Sequence, residues 1–267
     1  MITRNLPVLI PIIYLASALL LPLFGLWKKR TAYWIAFLAI LADASVACWG
    51  LLQVITNGTI HYRLGDWAPP IGIEYILDPL SAFMAAVIGI IALMVIIFAK
   101  RSVASELPDK QVPYYAMVLL LLAGFSGIVV TGDLFNLYVF LEISSLAAYA
   151  LVAVGERGAP VAAFRYLIMG TVGASFYLLG LWFIYMLTGS LNMADVASII
   201  PTLFSNPALA LALAMMIAGM GIKMALFPLH GWPPDAYTLA PSASSALIAP
   251  VGTKVGAYVL IRVMLYI

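Results

Sequence analysis

The sequence is poor in charge: only 9% of its 267 residues are Asp, Glu, Lys or Arg, whereas 65% are hydrophobic. Soluble globular domains carry about 25% charged residues, so this deficit excludes an ordinary soluble fold and predicts an integral membrane protein. The net charge of +2 is too small to indicate a nucleic-acid-binding protein. The information therefore lies in where the few charges stand.

The sequence also lacks the residue clusters that hold cofactors and metals. Its single cysteine, Cys48, excludes an intramolecular disulfide framework. Its two histidines, His61 and His230, stand far apart and make no ligand cluster. There is no Walker motif and no dinucleotide fingerprint after a strand. We therefore expect no bound cofactor, no metal, and no redox chemistry of the chain's own, although a role inside a redox-driven pump stays open.

Long apolar runs predict an all-α membrane protein with about eight transmembrane helices, because about 20 apolar residues cross a hydrocarbon core of roughly 30 Å. The predicted helices cover residues 6–27, 32–55, 79–99, 113–131, 134–154, 161–188, 207–229 and 242–266. The seventh meets Pro228, Pro233 and Pro234 at its end. Proline removes a backbone donor, so we expect this helix to be broken.

Two connecting segments carry structure of their own. In the polar loop 56–78, the stretches His61–Leu64 and Ile71–Tyr75 are predicted to pair as a short hairpin. The segment 190–205 is typical of an interfacial amphipathic helix, broken at Pro201.

Basic residues predict the orientation, since Lys and Arg concentrate in cytoplasmic loops. The loops after the first, third and fifth predicted helices hold seven basic residues, and the opposite side holds two. The seven are Lys28, Lys29, Arg30, Lys100, Arg101, Lys110 and Arg157, and the two are Arg4 and Arg63. We therefore expect the N-terminus to lie outside the cell.

Three ionisable residues, Glu142, Lys223 and Lys254, stand inside apolar runs. A charge at the bilayer centre costs roughly 2.5–3.5 kcal/mol on insertion scales, which indicates a functional use. A buried acid and a buried lysine that exchange charge as their separation changes form a minimal proton relay. The alternative is a static ion pair that joins two helices. One acid with two lysines leaves one positive charge unpartnered, which favours the relay.

Five other polar residues have open interpretations. Arg165, early in the sixth predicted helix, either extends to the headgroups or serves the relay. His230 beside the helix break either relays protons or makes a cap or hinge contact. Asp43 in the second helix is predicted to be structural, bonding to Ser45, to Trp49 or to a neighbouring helix. Asp133 is predicted to be a helix N-terminal acid that satisfies free N–H groups, and Asp235 is predicted to be a turn or cap residue.

The stretches 131–150 (TGDLFNLYVFLEISSLAAYA) and 219–258 (GMGIKMALFPLHGWPPDAYTLAPSASSALIAPVGTKVGAY) resemble a known family. It comprises the antiporter-like subunits of respiratory complex I, membrane-bound hydrogenases and Mrp-type cation/proton antiporters, and the first stretch is most similar to the D-type member of the Mrp set. The likeness extends over the whole sequence, with the glutamate, the lysine before FPLHGWPPDA and the lysine of KVGAY in the expected order.

The resemblance implies a proton channel built from two inverted five-helix repeats. The first repeat, predicted helices 4–8, would occupy residues 113–267, after an N-terminal three-helix region with its outside hairpin loop at 1–112. Glu142 and Lys223 would be the modulating pair and Lys254 the central lysine. His230 and Asp235 match the motif after the broken helix, and Arg165 is the candidate for the basic position of the sixth helix.

The resemblance also implies a setting. Only the N-terminal half of a family member is represented, so we expect the second repeat on other residues of a longer chain or on another polypeptide. The expected partners are other membrane subunits of a multisubunit antiporter or respiratory complex in the cell membrane of a prokaryote, with protons as the translocated ion. Two alternatives stay open: sodium movement through this subunit, and a non-conducting scaffold that serves assembly.

Overall fold

The computed structural model describes residues 3–25, 29–155 and 157–265, with the side chains of residues 29 and 30 left out. Ten α-helices account for nearly all of this part of the chain. They are α1 (Leu6–Gly25), α2 (Lys29–Asn57), α3 (Pro79–Glu106), α4 (Gln111–Val130), α5 (Leu134–Ala153), α6 (Ala159–Thr188), α7 (Met193–Ile199), α8 (Pro207–Lys223), α9 (Pro233–Leu239) and α10 (Ser242–Leu265).

The predicted all-α membrane architecture is confirmed. Within the described residues, seven helices, α1 to α6 and α10, are long and apolar enough to cross a membrane. The remaining predicted span, the seventh along the sequence, corresponds to α8, whose 17 residues extend about 26 Å at 1.5 Å per residue. That length is at the lower limit for a membrane-spanning helix. The protein is therefore a multi-pass membrane protein, in agreement with the apolar runs.

The seventh predicted helix ends earlier than its apolar run. The prediction continued it to residue 229, but α8 stops at Lys223. Ala225 takes a left-handed backbone conformation with φ of 60°, and the Leu226 N–H bonds back to the carbonyl of Gly221 at 2.8 Å. This tight reversal ends the helix before Pro228 is reached. Helix structure resumes at α9, so the predicted break is present but begins five residues upstream of Pro228.

A small antiparallel hairpin lies at one end of the bundle, which we name the hairpin end. Its strands are β1 (Ile60–Arg63) and β2 (Glu74–Leu77), with Ile60 opposite Leu77. The predicted hairpin is therefore present, but its second strand was placed three residues too early. A turn closed by the Gly72 N–H and the Ala68 carbonyl occupies the start of the predicted strand.

The hairpin end also fixes where α5 begins. Gly132 N–H donates to the Glu74 carbonyl at 2.8 Å, and Leu134 N–H donates to the Leu191 carbonyl at 2.9 Å. The segment that carries Leu191 leads into α7, so a helix is present in the predicted segment 190–205, and it changes to a 3-10 helix over Ile200–Leu203, where the break at Pro201 was predicted. Strand, helix start and short helix are thus tied together, so the depth of α5 residues in the bundle is set.

Small residues bring α6 and α8 into backbone contact. A Cβ on Gly219 of α8 would stand 2.5 Å from the carbonyl oxygen of Gly173 on α6. A Cβ on Gly180 would stand 2.6 Å from the carbonyl oxygen of Ala212. In membranes such small residues allow close helix approach and dispersion packing. The end of α8, with Lys223, is therefore held firmly against its neighbours.

Candidate functional site

Glu142 is the ninth residue of α5, roughly 13 Å from its start at 1.5 Å per residue. The side chain is 31% exposed, yet its Oε1 is buried and has no hydrogen-bond partner. Ser145, three residues on, lies on the same side of α5, because residues three or four apart share a helix face. The α5 helix thus presents an acid and a hydroxyl together.

Lys223 is the last residue of α8, and its side chain is only 10% exposed. Its Nζ donates a hydrogen bond of 2.7 Å to the Ser145 Oγ and stands 3.8 Å from the Glu142 Oε1. The Nζ–Oε1 distance is that of an ion pair and is too long for a hydrogen bond. The structure therefore brings Glu142 and Lys223 together, as the sequence predicted, in a loose pair with a shared serine.

The end of α8 is completed by a tryptophan from the segment after the break. Trp232 Nε1 donates to the Ile222 carbonyl at 2.9 Å, an acceptor that also receives the Ala225 N–H at 3.2 Å at the helix end. The Trp232 ring stacks on Tyr166 of α6 with centroids 4.0 Å apart. These contacts hold Lys223 in place, and they put the positive charge at a helix C-terminus, where the macrodipole favours it.

A cavity of about 40 Å³ adjoins Lys223, between α4, α5, α8 and α10. A water molecule needs roughly 10–15 Å³ of such space, so the cavity has room for about three. Its polar lining includes Lys223, Ser144, Ser145 and Tyr237. The buried Tyr237 hydroxyl has no hydrogen-bond partner and is available to bond to water.

Lys254 is not part of this cavity. The α10 residues that line it are Ile248, Gly252, Val255, Gly256 and Val259. At 100° per residue, Lys254 falls on nearly the opposite side of the helix. Its side chain is exposed and makes no hydrogen bond or ion pair within the described ranges. The structure therefore separates Lys254 from the Glu142–Lys223 pair.

Arg165 and His230 also lie apart from the pair. Arg165 Nη1 donates to the Asp235 Oδ2 at 2.7 Å, in an ion pair whose side chains are 66% and 48% exposed. His230 is exposed, and its ring contacts that of Phe227 with centroids 5.4 Å apart. Arg165 thus ties α6 to α9 at the surface, and His230 contacts Phe227 within the segment that joins α8 to α9.

The predictions for the remaining acidic residues, Asp133, Asp235 and Asp43, agree with the structure only in part. Asp133 caps α5, because its Oδ1 accepts from the Asn136 N–H at 2.6 Å, as predicted. Asp235 lies in the first turn of α9 rather than at its cap. The predicted bond from Asp43 to Ser45 is wrong, since the Ser45 hydroxyl donates instead to the Leu41 carbonyl at 2.8 Å. Asp43 faces α1, in line with the neighbouring-helix alternative.

A second buried ion pair was missed by the sequence reasoning. Asp78 caps α3, with its Oδ1 accepting from the Ser81 N–H at 2.8 Å, and both of its carboxylate oxygens accept from the guanidinium of Arg262 on α10. Arg262 Nε donates to the Tyr258 hydroxyl, which donates to the Val129 carbonyl, both at 2.7 Å. The position of the charged Arg262 inside the last apolar run was the sequence signal from which this ion pair could have been predicted.

Comparisons with known proteins agree with this architecture. Residues 131–267 match the family described as NADH:quinone oxidoreductase/Mrp antiporter, transmembrane. The chain is 47% identical to the N subunit of NADH-quinone oxidoreductase from Desulforudis audaxviator, over 99% of this chain and 53% of the relative. It is 33% identical to the D subunit of the Na(+)/H(+) antiporter from Bacillus subtilis, over 97% of this chain and 51% of the relative.

A solved structure shows the same fold. A chain of the membrane-bound sulfane sulfur reductase, an archaeal respiratory membrane complex, superposes with a TM-score of 0.91 and 34% identity, over 97% of this chain and 53% of that one. The chain spans about half the length of the curated relatives it matches. The family match covers half of the sequence, including Glu142, Lys223 and Lys254. The chain therefore belongs to the NADH:quinone oxidoreductase/Mrp antiporter family of membrane subunits.

Proposed function

We propose that this chain conducts protons as an antiporter-like subunit of a multisubunit membrane complex, with Glu142 and Lys223 as the charge pair that controls the movement. The observation that carries the proposal is the loose contact between them: 3.8 Å, with one carboxylate oxygen unbonded, beside a cavity with room for water. A pair with so few fixed bonds separates at little cost, and its separation changes which group holds the proton.

In the proposed cycle, Glu142 keeps the ammonium of Lys223 charged while the two are close. When they move apart, or when Glu142 takes up a proton, Lys223 is left in a poorly solvated cavity without its counter-charge. Release of its proton to cavity water is then favoured. Ser145 and the Tyr237 hydroxyl provide hydrogen-bond partners on either side of that water.

Lys254 would take the proton next. The described residues do not form a complete path from Lys223 to Lys254, and we propose that other residues complete it. Its side chain lies on a face of α10 that the described part of the chain leaves exposed. We assign residues 113–267 to the first of two repeats and expect the second repeat, whether on this chain or another, to cover that face. His230 and Arg165 have no direct place in this step, because both side chains are exposed and neither lines the cavity.

Protons are a better match to the site than sodium. A sodium ion would need several oxygen ligands, and Glu142, Ser144 and Ser145 are the available set. Ser145 already accepts from the ammonium of Lys223, and Ser144 donates to the Leu141 carbonyl at 2.9 Å. An ammonium at this position repels a second cation. A non-conducting scaffold is disfavoured for another reason, since it would have no use for an unbonded buried carboxylate oxygen.

The proposed location is the cell membrane of a prokaryote, with the N-terminus and the hairpin end outside. Among the described side chains, Lys100, Arg101, Lys110 and Arg157 are exposed on the opposite end of the bundle, where positive charge is expected to face the cytoplasm. Lys28, Lys29 and Arg30 contribute to the same prediction but lie outside the described side chains. The partners would be other membrane subunits, like those of the complexes that contain the relatives.

The test is proton transport by the purified complex in liposomes that contain a pH-sensitive dye. Lys223→Ala and Glu142→Gln should each reduce the initial rate at least tenfold, because each removes one half of the pair. Asp66→Asn is the control, since it removes an exposed acid at the hairpin end and should leave the rate unchanged. Sodium flux measured in parallel shows whether the variants lose proton transport, sodium transport or both. Transport that stays intact in both pair variants would sink the proposal.

A further inference from the structure

Asp43 is a buried carboxyl that the proposed relay does not use. It is the middle residue of α2, the side chain is 1% exposed, and neither carboxylate oxygen has a hydrogen-bond partner. An ionised carboxylate without a partner at membrane depth is expensive, and such groups become neutral by binding a proton. The burial of Asp43 therefore favours the acid form.

The group that faces Asp43 is Tyr14, near the middle of α1. Tyr14 is fully buried, and its hydroxyl also has no hydrogen-bond partner at direct bonding geometry. The two side chains nevertheless interact electrostatically, so they are neighbours across the α1–α2 contact. Two unsatisfied polar groups this close are suited to a shared water or to a small rotation that joins them.

The other helices that pack on α2 bring no charge to the site. The stretches 79–99 of α3 and 116–130 of α4 contain no titratable side chain. Gly89 of α3 closes the site from that side, since a Cβ there would stand 2.9 Å from the Ala44 Cα. On α2 itself, the other titratable residues of the stretch 31–57 are Tyr33 and Cys48, ten and five positions away, while Lys29 and Arg30 stand fourteen and thirteen positions away in the sequence. Tyr14 is therefore the titratable side chain that stands next to Asp43.

We propose that Asp43 and Tyr14 form a proton-binding site in the N-terminal three-helix region, distinct from the Glu142–Lys223 pair. Asp43 holds the proton as a carboxylic acid, and the Tyr14 hydroxyl is its hydrogen-bond partner, directly or through one water. A metal cation does not suit the site, because a carboxyl and a phenol supply too few oxygen ligands. Residues 6–25 and 31–57 contain no lysine or arginine that could pair with Asp43 instead.

Infrared difference spectroscopy on the full-length protein in its purified complex tests this directly. The spectrum of the wild type minus that of Asp43→Asn should contain the C=O band of a protonated carboxylic acid at pH 7. Tyr14→Phe should shift that band without removing it. Asp66→Asn is the matched control: its side chain is exposed, so the difference should show a carboxylate band and no acid band. Labelling the wild type with ¹³C-aspartate should move the Asp43 band, which keeps the test valid if a variant folds poorly.

Two results would overturn the inference. A carboxylate band in the Asp43→Asn difference at pH 7 means that Asp43 is charged and that a cation from elsewhere accompanies it. An acid band that Tyr14→Phe leaves unmoved removes Tyr14 from the site. Because Glu142→Gln removes a different carboxyl, its own difference spectrum and transport rate report on the proposed relay separately.

Discussion

Two buried ion pairs in this protein have opposite designs. Asp78 and Arg262 join the start of α3 to the end of α10 through two parallel contacts, and the remaining polar atoms of the pair bond to Ser81 and Tyr258. Glu142 and Lys223 meet at a single distance of 3.8 Å, with one carboxylate oxygen unbonded and a cavity alongside. The first pair is saturated with bonds, and the second is not.

The difference separates a structural role from a conducting one. Bidentate arginine–carboxylate contacts are strong and geometrically specific, so the first pair resists separation. A lysine is a point charge on a flexible stem, and its ammonium can lose its proton when buried. A pair that must come apart during a cycle is therefore better built from glutamate and lysine than from aspartate and arginine. Bond saturation, rather than burial alone, distinguishes the two.

Removing the arginine should give the largest loss of stability. Arg262→Met leaves the Asp78 carboxylate, only 15% exposed, without its cation. Breaking one side of a buried pair costs about 3–5 kcal/mol, so the thermal unfolding midpoint of the purified protein should fall strongly. Proton transport per folded molecule should persist, since neither Glu142 nor Lys223 is touched.

The control for this variant is Arg4→Met. Arg4 pairs with Asp66 at 3.1 Å, but the two side chains are 65% and 86% exposed. Surface pairs are worth about 0–1 kcal/mol, and the unfolding midpoint should barely change. Equal losses in the two variants would contradict the structural role of the Asp78–Arg262 pair.

The same pair predicts an acid sensitivity. Burial alone would raise the pKa of Asp78, but the hydrogen bonds from Arg262 and Ser81 outweigh it, and the pKa lies below its usual value. The stabilisation is therefore fully present above about pH 4 and is lost as the pH falls through the lowered folded-state pKa. The unfolding midpoints of wild type and Asp78→Asn should differ by a constant amount near neutrality. That gap should close in acid, and a gap that persists at the lowest pH would refute the assignment.

Most of the membrane architecture could be predicted from the sequence because hydropathy and the length of apolar runs report directly on bilayer crossing. Glu142 and Lys223 were found for the same reason: charges are rare in such runs. The end of α8 was misplaced, since the chain already reverses at Ala225, a residue without the turn signal of glycine or proline, and the Leu226 N–H bonds back to the Gly221 carbonyl before Pro228 is reached.

Other features of the site needed three-dimensional information. Arg262 stood in an apolar run like Lys254, but its partner Asp78 is 184 positions away and could not be paired from one sequence. The role of Ser145 depends on the direction of the Lys223 side chain. The exposure of Lys254 could not be foreseen either, because the rotation of α10 about its axis is set by packing against α3, α4 and α8.

Ser145→Ala tests how the loose pair is supported. The variant removes the acceptor of the 2.7 Å bond from Lys223 and leaves the ion pair in place. A hydrogen bond to a charged group contributes about 1.5–3 kcal/mol. Water in the adjoining cavity can replace the lost bond in part. We expect a stability loss of about 1 kcal/mol and a transport rate reduced severalfold. Ser198→Ala is the control, because it removes a hydroxyl that donates to a carbonyl of its own helix α7, that of Asp195 at 2.7 Å, and Ser198 does not line the cavity, so transport should stay near the wild-type rate.

The smallest expected effect is the stability coupling of Glu142 and Lys223. In a double-mutant cycle with Glu142→Gln and Lys223→Met, the interaction free energy should be at most about 1 kcal/mol, since the two groups share a single contact at 3.8 Å and no hydrogen bond. The same cycle with Asp78→Asn and Arg262→Met should give about 3 kcal/mol. The proton-transport rate should show the reverse order: a large loss in the Glu142 and Lys223 variants, and little loss in the Asp78 and Arg262 variants. A coupling at Glu142–Lys223 as strong as that at Asp78–Arg262 would mean that both pairs hold helices together, and the distinction between them would disappear.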